Sequence, residues 1–249
     1  MEEYRVNPTI AYDVVELPSR GIYYNNGKKS VRVSYLTAAD ENILTAPNLL
    51  QTNSVVDELL KRKVLDKDIS VDELVEDDRR AIMIFLRNTS FGSDYHLTLT
   101  DPKTDKEFKA TIDLSSLNFK SFDLKADANG EYTYFMEKSN CDITFKFLTR
   151  KQENEIEEIK KNWNGNGAPP IVTKQLEFMI KSVKGNREMM SIHFFVESLP
   201  IKDSMDFRKF VANNKPSLDL TRNITTPSGE EIQVDIGFGV EFFRPFYGL

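Results

Sequence analysis

The side chains best suited to nucleophilic attack, proton transfer or metal ligation are few in this chain: Cys141, His96, His193 and a scatter of carboxylates. Cys141 lies in Cys141-Asp142-Ile143-Thr144-Phe145 with no histidine nearby in sequence to activate it, so it is expected to be a small buried hydrophobe and not a nucleophile. One cysteine cannot form an internal disulfide, and with two histidines it cannot close a structural zinc site of the Cys/His type. His193 sits in the apolar run Met189-Met190-Ser191-Ile192-His193-Phe194-Phe195-Val196 and is predicted to be a core or partly buried histidine, not a ligand or base. His96, beside Tyr95 in a strand pattern, is expected to face solvent. The acidic pairs Asp77-Asp78 and Glu157-Glu158 are adjacent, so on a helix they diverge by about 100° and cannot share a substrate; they read as solvating charge. Gly165 and Gly167 are not followed by a Lys-Ser/Thr helix start, and no Gly-x-Ser-x-Gly elbow occurs. The expectation is therefore no catalytic residue, no cofactor and no metal.

The elements that would have to position such groups are those of an α+β protein, with helical segments interleaved with two to three β-hairpins. The chain has 249 residues, 40% hydrophobic and 29% charged, enough to bury a core and too apolar for wholesale disorder. Its net charge of −6 and pI near 5.2 argue against a nucleic-acid-binding body. No stretch approaches the ~18–20 apolar residues of a membrane span, and Met1-Glu2-Glu3-Tyr4-Arg5-Val6 lacks the basic-then-apolar pattern of a secretory signal. The lone cysteine fits a reducing cytoplasm.

Residues 1–30 read as irregular, punctuated by Leu17-Pro18-Ser19-Arg20-Gly21 and Asn26-Gly27 turns. Val31–Leu36 alternates as a strand. Thr37, with its hydroxyl as acceptor, starts a helix ended by Pro47; Ser54 caps a second through Val64; Ser70–Leu74 forms one more turn. Asp77–Asn88, nearly all-round apolar at its centre, is the core helix of this part, with Gly92 past its end. Strands follow at Tyr95–Thr100 and Glu107–Leu114, then at Glu131–Met136 and Asp142–Leu148. Thr149 and Gln152 form a capping box for a charged helix to about Asn162. The loop Trp163–Pro170 is a hinge or a surface excursion. Helices are predicted at Thr173–Lys184, Arg187–Leu199 and Asp203–Asn213, and strands at Leu218–Thr225 and Glu231–Ile236. Met189, Met190 and Met205, with Phe194, Phe195, Phe207 and Phe210, are expected in the core. Three segments result: a strand-and-helix part (1–92), a β-hairpin part (93–148) and a helical part ending in a hairpin and an aromatic tail (149–249), the last either separate or one compact unit with the rest.

Two hairpins echo each other. Thr100-Asp101-Pro102 followed by Glu107 and Asp113-Leu114 parallels Thr225-Thr226-Pro227 followed by Glu231 and Asp235-Ile236, with Pro-to-Asp spacings of 11 and 8. Chance likeness of Pro-turn hairpins and true repetition both account for this. Each hairpin looks like a zinc-ribbon knuckle without cysteines, with Asp101-Pro102 and Thr226-Pro227 where Cys-Pro would stand. At the far end, Phe242, Phe243, Phe246 and Tyr247 crowd a terminus of the kind that is normally polar. Such a tail either docks on its own domain or meets a partner, which makes these four residues the candidate partner contacts.

Taken together, Leu17-Pro18-Ser19-Arg20-Gly21, Val31–Leu36 with Thr37–Leu44, Val56-Asp57-Glu58-Leu59-Leu60, Asp78-Arg79-Arg80-Ala81, Leu86–Gly92 and Phe242-Phe243-Arg244-Pro245 resemble the baseplate hub assembly proteins of T-even-type contractile-tailed bacteriophages, the longer of two sister gene products. The resemblance implies a late viral protein that builds the central hub of the tail baseplate by protein–protein contact, as an assembly factor or chaperone or as a hub component. It implies other baseplate hub or tail assembly proteins as partners, with no nucleic acid and no small-molecule substrate. It places the protein in the host cytoplasm during assembly and allows a place in the virion. It carries no catalytic residues. The other reading, a small cytoplasmic enzyme with an unrecognised active site, is disfavoured by the lack of a nucleophile–base pair and of a cofactor loop.

Overall fold

The computed structural model describes residues 11–44, 46, 55–165, 167–238 and 240–243. In chain order its elements are β1 (Tyr12–Glu16), β2 (Ser30–Ser34), α1 (Ala38–Leu44), α2 (Val55–Lys63), α3 (Glu76–Phe91), β3 (Asp94–Asp101), β4 (Lys106–Asp113), β5 (Tyr132–Met136), β6 (Cys141–Phe145), α4 (Arg150–Asn162), α5 (Ile171–Met179), β7 (Ile180–Val183), α6 (Met189–Glu197), α7 (Ile201–Asn214), β8 (Thr221–Thr225) and β9 (Glu231–Asp235), with short 3-10 turns at Val71–Glu73, Leu114–Ser116 and Val240–Phe243. Every sheet is small and antiparallel, so the α+β reading holds. The chain forms two compact units that interleave in sequence: residues 1–20, 28–119 and 217–249, and residues 21–27 and 120–216.

In the first unit, β1 pairs with β2 so that Val15 faces Val31. The sequence conceals β1, because only Val15 of its five residues is buried and no alternation shows. The Thr37 hydroxyl was expected to accept; instead its N–H and hydroxyl both donate to Asp40, at 2.7 and 2.8 Å, and the Lys63 ammonium closes on the same carboxylate. The predicted cap Ser54 lies outside the described residues. Ser70 and Glu73 form a capping box around the turn between α2 and α3. α3 buries Ala81, Ile82, Met83, Ile84 and Leu86 and stops at Gly92, whose φ of 83° suits only glycine well.

The adjacent Asp77 and Asp78 are both buried, against the expectation of solvating charge. Asp78 does not solvate the helix; it is buried and accepts the Ser19 N–H at 2.8 Å, holding the Pro18-Ser19 turn. Arg87 is the largest fully buried side chain among the described residues. Its guanidinium donates to the carbonyls of Gly92, Asp94 (2.7 Å) and Phe242 (3.1 Å) and lies over the rings of Tyr95 and Phe242. One cation thus ties the end of α3, the start of β3 and the Val240–Phe243 turn, since a planar fork can serve several acceptors at once.

The hairpin echo is structural. β3–β4 and β8–β9 each end on an aspartate followed by a buried apolar residue, Leu114 or Ile236. That residue's N–H bonds the carbonyl just before the incoming strand, Ser93 at 2.9 Å or Leu220 at 3.1 Å. Ser228 bridges Asp101 and Thr226, the residues in the Cys positions. Buried Asp101 accepts from the Lys103 N–H (2.9 Å) and from the N–H and hydroxyl of Ser228 (3.1 and 3.0 Å), while Ser228 Oγ lies 3.0 Å from Thr226 Oγ1. Carboxylate and hydroxyls pin turn to turn where a knuckle pair would use thiolates.

The second unit is a three-stranded sheet, order β5-β6-β7, with α4–α7 around it. β7 corrects the predicted helix Thr173–Lys184. The helix ends at Met179; Ile180 turns extended and the chain pairs along β6, with Thr144 opposite Ser182 and Ile143 opposite Val183. Ile180 and Ser182 bury alternately, a period of two spread over only four residues and so too short to read. The core joins Tyr132, Met136, Cys141, Ile143, Phe145, Leu176, Ile192 and Phe207, with edge-to-face packing of Phe145 on Phe207 and Phe147. The capping box Thr149/Gln152 opens α4, whose only buried residue is Ile156. Asp203, in the first turn of α7, is buried and accepts from the N–H groups of Lys138 (2.9 Å) and Ser139 (2.7 Å), which fixes the β5–β6 turn. Glu131 takes a two-pronged bond from Arg187, at 2.7 and 3.0 Å.

These carboxylates predict the acid response. Burial would raise Asp203, but the Ser139 and Lys138 bonds outweigh it and hold it below the usual range. The Arg187 bond does the same for Glu131, against its burial. A depressed folded pKa adds stability that is complete above the unfolded value and is lost as pH falls through the folded one. The melting temperature should therefore be level near neutrality and fall below about pH 4. Asp203→Ala should cost about 1–3 kcal/mol at neutral pH by orphaning two N–H groups. An unchanged melt down to strongly acid pH, or a neutral Asp203→Ala, would contradict this. Arg87→Lys should also destabilise, by roughly 2 kcal/mol or more, because an ammonium cannot reach three carbonyls in one plane; an unaltered urea midpoint would refute that.

Candidate interaction surface

α6 reads Met-Met-Ser-Ile-His-Phe-Phe-Val-Glu and is apolar nearly all round. Such a helix is normally buried on every side. Here only Ile192 and Val196 are buried, with Phe195 packed partly against the core. Met189 is 83%, Met190 57% and Phe194 62% exposed. This corrects the core assignment of those three and of Met205, which is 56% exposed on α7; Phe207 is in the core as expected, with Phe210 packed partly against it. The sequence could not separate the two faces, because apolar residues mark an unpartnered face and a core face alike.

Beside α6 lies a groove of about 630 Å³ lined by α5, β7 and α6, among them Phe178, Ile180, Met189, Met190 and the cations Lys174, Lys181 and Arg187. α5 reaches this groove because the chain turns straight from Met179 into β7 and returns through Asn186 to α6. Lys181 is half-buried and donates to the Phe178 carbonyl at 2.7 Å; burial first, then the nearby Lys146 charge, pull its pKa down.

His193 is exposed at the groove's rim, not in the core, and its Nδ1 lies 2.7 Å from Glu177 Oε1. Glu177 also bonds Lys174 at 2.7 Å; burial would raise its carboxyl, and these two bonds lower it overall. Glu177, His193 and Glu197 each place one donor atom within 4.8 Å of the others, so this trio could hold a cation. Sequence reasoning missed the trio because Glu177 comes from a neighbouring helix; the His193–Glu197 spacing of one helical turn was the available sign. His96 is exposed and bonds Thr111 at 2.9 Å. Cys141 is buried, and burial pushes its thiol up, the opposite of an activated nucleophile.

Of the four candidate contacts in the aromatic tail, Phe242 and Phe243 are each 1% exposed. Phe242 packs on Tyr95, Phe238 and Phe243 at 4.8–5.4 Å between centroids. Phe246 and Tyr247 lie outside the described residues.

Two substitutions separate anchor from surface. Phe243→Ala should cost about 3–5 kcal/mol by opening a cavity. Phe194→Gln should shift stability by no more than about 0.5 kcal/mol, as an exposed position should. A neutral Phe243→Ala or a strongly destabilised Phe194→Gln, read from chemical denaturation, would reverse these assignments.

Comparison with curated proteins and with solved structures finds no significant match. A family model described as T4 bacteriophage base plate protein matches residues 13–244, nearly the whole chain. The chain belongs to the T4 bacteriophage base plate protein family.

Proposed function

We propose that this baseplate protein works in forming the central hub of the baseplate, as an assembly factor or hub component, through protein–protein contact. The observation that carries this reading is the uncovered face of α6, where Met189, Met190 and Phe194 stand in water. A contiguous apolar helix face of this kind is costly to leave exposed and is the usual mark of a contact surface. Methionine on such a face fits itself to a partner's shape, and phenylalanine supplies an anchor. Phe246 and Tyr247 are proposed as a second contact, beyond the anchored Phe242 and Phe243. The protein would meet its partners in the host cytoplasm, and its partners would be other hub or tail assembly proteins of a contractile tail. No step in this role needs a nucleic acid, a cofactor or a small-molecule substrate.

The test is co-elution of the purified chain with purified hub subunits on size exclusion. The parent should co-elute with at least one subunit. Phe194→Glu should abolish co-elution while melting like the parent, because a charge would be forced into a desolvated contact. Co-elution that survives Phe194→Glu, or no co-elution of the parent with any hub subunit, would overturn the reading.

A further inference from the structure

We infer that the groove beside α6 receives an amphipathic segment that carries a carboxylate next to its apolar residues. The inference rests on α6 being a contact face and adds the chemistry of what covers it.

Apolar surface forms one part of the groove, through Phe178, Ile180, Met189 and Met190; the other part is charged, with Lys174, Lys181 and Arg187 beside the single carboxylate of Glu177. Two of those cations already have partners. Lys174 is paired with Glu177 at 2.7 Å and Arg187 with Glu131 at 2.7 Å. Lys181 differs. Its ammonium donates to a backbone carbonyl, and among the described residues no carboxylate lies within ion-pair distance of it. Lys146 adds positive charge nearby, and the Glu131 carboxylate, already held by Arg187, acts on Lys181 only through space.

The lining thus carries three lysine or arginine charges against one carboxylate, an excess of positive charge in a chain whose net charge is −6. That contrast makes the attraction a property of this place and not of the whole surface. Covering the groove with a neutral apolar segment would strip water from an unpaired ammonium, which is costly. A basic segment would add like-charge repulsion in a drying site. A segment with Asp or Glu beside its apolar residues supplies the missing partner as water leaves, so the pair contributes selectivity while the methionine wall contributes buried area. A volume of about 630 Å³ takes a few side chains, not a whole domain, which points to a short segment as the inserted part.

The test pans a display library of random dodecapeptides against the full-length chain, with no hub protein present. Enriched peptides should combine Leu, Phe or Met with Asp or Glu. A synthetic copy of the strongest should bind less well as salt rises, and about tenfold less well to Lys181→Met, a loss of about 1.4 kcal/mol. Lys181→Arg should retain binding, which separates lost charge from altered packing. Enrichment of neutral or basic sequences, acidic peptides indifferent to Lys181→Met, or no enrichment would overturn the inference. Hub co-elution separates the two claims. If co-elution depends on Phe194 while panning fails, the contact face stands and the acidic partner falls. If co-elution ignores Phe194, the contact face itself falls.

Discussion

In both units, turns far apart in sequence are held by aspartate carboxylates that accept backbone N–H groups. Asp78 takes Ser19, Asp66 takes Arg32, Asp101 takes Lys103 and Ser228, and Asp203 takes Lys138 and Ser139. Each carboxylate is buried, so each bond forms where water competes little, and losing one leaves a buried donor with no substitute. The small sheets have few ladder bonds to hold themselves flat and in register. Side-chain anchors therefore decide where the hairpins point. Arg87 is the complementary case, a cation that gathers three carbonyls at the end of α3. With one cysteine in the chain, these polar clamps take the place that disulfides or metal thiolates occupy in other small hairpin-rich units.

Much of this was legible locally. The capping box at Thr149/Gln152, the stop at Gly92 and the Pro-Asp hairpin echo depend on neighbours within a few residues, and each appears where its residues predict. What stayed hidden depends on distance along the chain. Asp78 looks like any acidic residue near a helix start until Ser19 arrives from 59 positions away. Asp203 looks like a helix-start charge until the β5–β6 turn meets it. β7 is four residues long and continuous with an apolar helix, so only its pairing with β6 reveals it. The Glu177–His193 contact crosses two helices for the same reason.

The face of α6 is the instructive failure. Its composition predicts a core helix, and half of it is one. The other half has the same residue types and no cover. Apolar character reports only that a surface is to be buried, not which molecule buries it. The family is one of phage baseplate proteins, and on the proposed function the missing cover is another subunit. The clamps and the contact face then have complementary roles: buried aspartates hold β5, β6 and α7 rigid, and that rigid frame presents Met189, Met190 and Phe194 in a fixed arrangement.

The methionines themselves offer the most direct measurement. Hydroxyl-radical oxidation, read residue by residue, should modify Met189 and Met190 readily in the free protein and leave buried Met83, Met136 and Met179 untouched. With the proposed hub partner bound, oxidation of Met189 and Met190 should fall sharply while the buried methionines stay as they were. Equal oxidation of Met189 and Met190 in the free protein and in the complex would show that the partner does not cover α6, and would contradict the account.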